Sequence, residues 1–231
     1  MIEILLSFKK AFYLIVSLDR DLIGIISLSL YVSITAIIIA FFIGIVLAYV
    51  LSFKEFPVRG ALINILNTAM GLPPVVVGLF LYLVLSRRGP LGFMGILYTP
   101  SAMIVAQTIL AFPIIAAMSY SSITSVRPNI RLAALGLGGT ETQASMAVLK
   151  DARYGIVSSV MAGLGRVMAE VGAVLIVGGN IAGYTRVMTT TIALEYDKGN
   201  FDLAIALGII LLLISLGINS ALYLFQRRIK T

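Results

Sequence analysis

Cysteine, histidine and tryptophan are absent from this sequence, and charged residues make up only 12% of it. Without cysteine there is no disulfide framework and no thiolate metal site. Without histidine the commonest general base and transition-metal ligand is missing. Without tryptophan, Tyr and Phe are left as the aromatic anchors at a membrane interface. The scarcity of charge is the most informative lack. An ordinary soluble domain has about 25% charged and about 45–50% apolar residues. Here 60% of 231 residues are apolar, more than a water-soluble core in so short a chain can hide. The solvent for most of this protein is lipid.

The net charge is +7. Its basic residues sit in short clusters between apolar runs. That arrangement suits anionic headgroups and membrane topology and argues against nucleic acid as a partner. A spanning helix needs about 20 apolar residues. Stretches with little or no charge predict five spans, at residues 22–52, 61–86, 101–126, 155–177 and 203–225, the fourth interrupted by Arg166 and Glu170. Gly89, Pro90, Gly92, Gly95 and Pro100 mark a loop before the third span. The expected fold is therefore all-α: one polytopic transmembrane domain over residues 1–231. Before the first span, Ile4, Leu5, Phe8, Phe12, Ile15 and Val16 recur at helical spacing around Lys9 and Lys10. Residues 1–20 read as a helix in the membrane interface. A signal peptide is the alternative, but the uncharged stretch 11–18 is short and no A-x-A-like site follows.

Five spans put the termini on opposite sides. Apart from Arg166, the 17 basic residues divide nine to seven between the two faces. The face with nine carries residues 54, 59, 127–153 and 227–230, and the positive-inside rule makes it cytoplasmic.

Residues 127–153 read RPNIRLAALGLGGTETQASMAVLKDAR. Pro128 suits a helix start. Ile130, Ala133, Ala134 and Leu137 form an apolar stripe, and Gly138 and Gly139 stop it. Thr140 and Gln143 form a capping box for a second helix. A connection this long with its own helices is usually functional. Its tether between spans argues against a DNA-binding helix-turn-helix.

Several residues within the spans are unusual for lipid. Pro73 and Pro74 remove two backbone donors and should kink the second span. A packing kink and a pathway-lining role both fit. Asn64, Asn67 and Thr68 share that span, where path lining and interhelical hydrogen bonding both fit. Arg166 and Glu170 are four apart, hence on one helix face, where pairing would offset the cost of burying each charge. Gly165, Ala169 and Ala173 make a small-residue ridge beside them. Gly178, Gly179 and Asn180 make a turn, or a backbone cradle for an oxyanion.

Segment 127–153 resembles the cytoplasmic "EAA" loop of binding-protein-dependent ABC importer permeases. Ala133, Ala134 and Gly138 match its pattern and Val148 falls at its apolar position. Leu132 stands where that family has glutamate, and Lys150 and Asp151 replace its Leu-Pro. Residues 72–78 (LPPVVVG) with Arg87 and Arg88, then Arg166, Glu170 and residues 178–180, resemble molybdate-type permeases. Residues 178–186 and 198–201 look most like the tungstate branch. The resemblance implies a homodimeric permease in the cytoplasmic membrane of a prokaryote. It implies two partners, an ATP-binding cassette subunit holding ATP and Mg, and an extracytoplasmic oxyanion-binding protein. No cofactor is expected in this chain and no enzymatic activity of its own. Leu132, Ala133, Ala134, Gly138, Thr140 and Glu141 are then expected to contact the ATPase. Asn64, Asn67, Pro73, Pro74, Arg166, Glu170 and Asn180 are expected along the path or its gate. Molybdate or another oxyanion is the alternative cargo.

Two other classes fit less well. A secondary transporter or channel often shows inverted repeats, which are not evident here, and needs no helical cytoplasmic loop. A membrane enzyme lacks a constellation of reactive groups.

Overall fold

The computed structural model describes residues 8–9, 12–13 and 20–230. Residues 8–9 and 12–13 are helical and exposed, in keeping with an interfacial helix; the rest of the expected 1–20 segment lies outside the described residues. The helices that follow are α1 (Arg20–Phe53), α2 (Arg59–Ala69), α3 (Pro74–Leu85), α4 (Pro100–Gly136), α5 (Glu141–Met168), α6 (Gly172–Gly178), α7 (Met188–Asp197) and α8 (Phe201–Lys230), with a single 3-10 turn at Gly92–Met94. No strand occurs among the described residues.

By length and composition, α1, α4 and α8 can each cross a membrane alone. The pairs α2–α3 and α5–α6 qualify only together, bent by 107° and 59° at their breaks. Three helices can thus cross alone, and five spans result if each bent pair counts as one broken span. The break in α2–α3 falls where Pro73 and Pro74 withhold backbone donors.

Helix α4 is the centre of the fold and packs along both α1 and α5. Its buried face is rich in small residues, among them Ala102, Ala106, Ala111, Ala116 and Ser119. In lipid there is little hydrophobic drive between helices, so such residues let backbones approach for van der Waals contact. Gly155 of α5 shows how close: a Cβ there would lie 2.1 Å from Ser122 Oγ of α4. Ser119 and Ser159 hydrogen-bond across the same interface at 2.9 Å. The outer surface is apolar. Phe42 and Val46 of α1, and Leu212 and Leu216 of α8, are exposed, as lipid-facing side chains should be.

The structure corrects two expectations about the elements and adds one helix. Pro128 does not start a helix; it lies inside α4, which runs unbroken from the third span to Gly136. The reason is packing. Ile123, Val126 and Ile130 lie on one face on either side of Pro128 and pack against Ala48, Val148 and Ala152. Likewise, the helix capped by Thr140 is no separate piece but the start of the fourth span. Helix α7 was not expected, because ten residues are too few to span a bilayer.

Candidate functional site

The two broken spans meet at their breaks. Pro73 is extended (φ −66°, ψ 123°) and Pro74 opens α3. The Val76 and Val77 amides both bond to the Pro73 carbonyl, so the Leu72 carbonyl loses its helical donor. Arg166 supplies one instead: its Nη2 donates to Leu72 O at 3.0 Å. Irregular backbone at membrane depth is tolerated only when protein or trapped water satisfies it, and here a half-buried cation does so.

The second break, after Met168, is held by side chains from three helices. Gln107 Nε2 of α4 donates to Val167 O at 3.2 Å. Thr189 Oγ1 of α7 donates to Glu170 O at 2.8 Å. Glu170 is itself buried, and its Oε1 accepts from the Ala173 amide at 2.8 Å, at the positive start of α6. Ser29 of α1 accepts from the Met188 amide at 2.8 Å and ties α7 to the same hub.

The expected Arg166–Glu170 ion pair does not form. Among the described residues, no contact within 4 Å joins the two charges. The spacing rule fails because the helix ends at Met168, so the two residues no longer share a helical face. Each charge serves a break in the backbone. Gln107, Ser29 and Thr189 were not singled out in the sequence. Each is an uncharged polar residue among others in a largely apolar stretch, a signal that does not separate a helix-break partner from an ordinary packing contact.

Helices α3 and α6 pack at backbone distance behind the breaks. A Cβ on Gly78 would stand 2.8 Å from Ala173 Cα. Ala173 is therefore ridge material, as expected, whereas Gly165 and Ala169 are exposed. Asn64, Asn67 and Thr68 are also exposed, on α2, and so is Pro73. The first break thus carries an uncovered polar and small-residue surface.

Residues 178–186 form a turn closed by its own hydrogen bonds. Gly179 (φ 71°) and Asn180 (φ 50°) are both left-handed. Thr185 Oγ1 accepts from Ile181 N at 2.9 Å and donates to Gly178 O at 2.6 Å. The amides of Tyr184, Thr185 and Arg186 all bond to Ile181 O. The amides of Ile181, Tyr184, Thr185 and Arg186 are thus used within the turn, and Gly179 N bonds back to Leu175 O at 2.9 Å. Asn180 Oδ1 is buried there without a partner.

At the other end of the molecule α4 and α5 meet in a sharp reversal. Gly138 is left-handed (φ 81°). Gly138 N bonds to Leu135 O at 2.9 Å and Gly139 N to Ala134 O at 3.0 Å, a Schellman stop. The Thr140–Gln143 capping box is present in both directions. Arg131 Nε reaches Glu141 Oε2 at 3.2 Å across the turn. The tip is apolar and uncovered: Leu132 is 67% and Leu137 90% exposed. Ala133 is exposed and Ala134 half-buried beside them.

Up to five spans, two of them broken and locked break to break, with an exposed helical elbow at one end, make a polytopic helical membrane domain. A family model described as the binding-protein-dependent transport system inner membrane component matches residues 40–231. The chain belongs to that family, and is a multi-pass protein of the cytoplasmic membrane. It is 45% identical to a probable anion ABC transporter permease protein of Haloferax volcanii, covering 86% of this chain and 88% of that one. It is 41% identical to the tungstate uptake system permease protein TupB of Peptoclostridium acidaminophilum, covering 95% and 96%. A crystal structure of an amino acid ABC transporter with histidines shares the fold, with a TM-score of 0.67 at 18% identity over 93% of this chain and 96% of that one.

Proposed function

We propose that this chain is a single transmembrane domain forming half of an importer for a tetrahedral oxyanion, tungstate, with a second copy supplying the other half. The observation that carries the cargo is the 41% identity to a tungstate permease over nearly the full length of both chains. ATP and Mg belong to a separate ATPase subunit, and an external binding protein delivers the anion; the chain itself carries out no catalysis.

Support for the path comes from the uncovered faces at the first break. Exposed Asn64, Asn67 and Thr68 are costly against lipid, and a water-filled path shared with a second copy relieves that cost. Pro73 and Pro74 open the break, and Arg166 and Glu170 hold the two breaks in shape rather than binding the anion themselves. Asn180 sits in the turn beyond α6. Support for coupling comes from the elbow. Leu132, Ala133 and Ala134 offer an apolar and small surface to a groove on the ATPase. Gly138 sets the reversal, while Thr140 and Glu141 brace the next helix. The α4 helix then transmits ATPase closure directly, because no flexible joint separates the elbow from the span.

The test is anion uptake into vesicles holding the complete complex, with and without ATP, for wild type and Gly138→Leu. Nothing lies within 4 Å of a Cβ at Gly138, so a side chain there meets no internal clash. Its left-handed φ makes the reversal strained, at about 1–2 kcal/mol. Insertion is expected to survive while ATPase binding and uptake are lost. ATP-independent uptake that survives the substitution overturns the importer reading. Uptake of molybdate with no uptake of tungstate overturns the cargo.

A further inference from the structure

Where α1 ends, its flank opens on a cleft of ≈ 390 Å³ shared with α4 and the start of α5. Lys54, Arg127 and Arg131 line it, and Glu141 is the single carboxylate there. Arg131 takes that carboxylate. Among the described residues, neither Lys54 nor Arg127 has a carboxylate within 4 Å. Arg127 is held in place by an aromatic face, with its guanidinium carbon 5.6 Å from the Phe53 ring centroid. Phe53 is in turn packed against Tyr49, their ring centroids 4.9 Å apart and their planes tilted by 41°. Thr142 and Ser145 add hydroxyls from the positive end of α5. The cleft is therefore cationic, braced and furnished with donors.

The approach to the cleft is apolar. Phe42, Val46, Tyr49 and Phe53 follow one another at steps of four, three and four, so they make one stripe along α1. Phe42 and Val46 are each 62% exposed, and Tyr49 and Phe53 lead from them into the cleft. The uncharged run of α1 stops at Phe53, and Lys54 is the first charge after it. That boundary is where hydrocarbon gives way to headgroups.

We propose that this cleft is a binding site for a phosphate oxyanion, and that its source is an anionic phospholipid. The phosphate sits between Lys54 and Arg127, and the acyl chains run up the Phe42–Val46 stripe. A basic pocket between spans next to lipid is the arrangement that headgroup recognition calls for. A free oxyanion shares the charge but makes no use of the stripe. The bound lipid ties the end of α1 to the α4–α5 elbow, so it stiffens the element beneath the coupling surface. This inference goes beyond the transport reading and does not depend on the cargo.

The experiment uses the full chain purified with its ATPase subunit. The complex is reconstituted in phosphatidylcholine with or without phosphatidylglycerol, and retained lipid is counted by native mass spectrometry. Wild type is expected to keep phosphatidylglycerol and shed phosphatidylcholine. Lys54→Gln with Arg127→Gln is expected to lower that retention about tenfold. Lys54→Gln alone, at an exposed position that leaves the fold undisturbed, is expected to give a smaller loss in the same direction. A parallel arm adds inorganic phosphate or tungstate to lipid-poor complex and follows thermal unfolding. Stabilisation by the free anion with no preference for phosphatidylglycerol overturns the lipid as the source. Equal retention by wild type and the double variant overturns the site. So does a loss of ATPase co-purification in Lys54→Gln with lipid unchanged, because the cleft is then a protein interface.

Discussion

Arg166 joins the two broken spans: its guanidinium donates to the carbonyl of Leu72, the oxygen left without a helical donor beside Pro73. The contact explains why an arginine can stand within an apolar span. It stands in for the Val76 amide, which bonds to the Pro73 carbonyl instead, so the freed carbonyl is satisfied by protein. Arg166→Met should therefore destabilise the protein by about 1.5–3 kcal/mol, the worth of a hydrogen bond to a charged group. Thermal unfolding in detergent measures it.

Glu170 gives a sharper discrimination. If it neutralised Arg166, Glu170→Gln would be as harmful as Glu170→Leu. Its observed partner is the Ala173 amide, and a glutamine oxygen can still accept that bond. Glu170→Gln should be the milder change, while Glu170→Leu leaves a buried donor unmet at about 1–3 kcal/mol. Equal unfolding temperatures for the two variants would favour an ion pair.

Gly78 is where α3 and α6 touch backbone to backbone. A methyl at that point would stand 2.8 Å from Ala173 Cα, which belongs to the chain itself and cannot rotate away. Gly78→Ala is expected to cost about 1–3 kcal/mol as overpacking. Folded yield should fall, and Ala173→Gly should restore little of it, because the obstructing atom is the Cα.

Glu195 supplies a pH dependence outside the predicted spans. Hydrogen bonds from Lys198 and Asn200 hold its carboxyl below the ordinary glutamate value. A group depressed in the folded state stabilises above its unfolded pKa, about 4.3, and loses that contribution as pH falls through the folded value. Lys198 is half exposed, so the ion pair is worth only about 0–1 kcal/mol. Glu195→Gln should lower the unfolding temperature at pH 7, and the gap to wild type should close progressively as pH falls below the ordinary glutamate value. A gap that widens in acid would reverse the assignment.

Topology can be tested without removing any native thiol, since the chain has none. Cysteines introduced at Arg88 and Leu137, both exposed, should label from opposite sides of the membrane, Arg88 from outside and Leu137 from the cytoplasm. Labelling of both from one side breaks the five-span arrangement.

By itself the sequence determined the class of this protein. Residue composition decides its solvent, and the apolar runs decide how many times the chain can cross. Thr140, Gln143 and Gly138 specify the elbow through contacts within a few residues, so that turn was legible too. The break at Pro73–Pro74 was legible as well, because proline acts on its own helix. The tertiary structure decided what distance along the chain conceals. Pro128 reads as a helix start, yet packing of Ile123, Val126 and Ile130 against neighbouring spans carries α4 straight through it. Residues 155–177 read as one helix with an ion pair, yet Gln107 and Thr189 meet carbonyls at residues 167 and 170 and support a break between the two charges. Local periodicity governs residues that answer to their own helix. Arg166 and Glu170 answer to backbone groups exposed by broken helices, and only the packing of those helices decides which groups lie within reach.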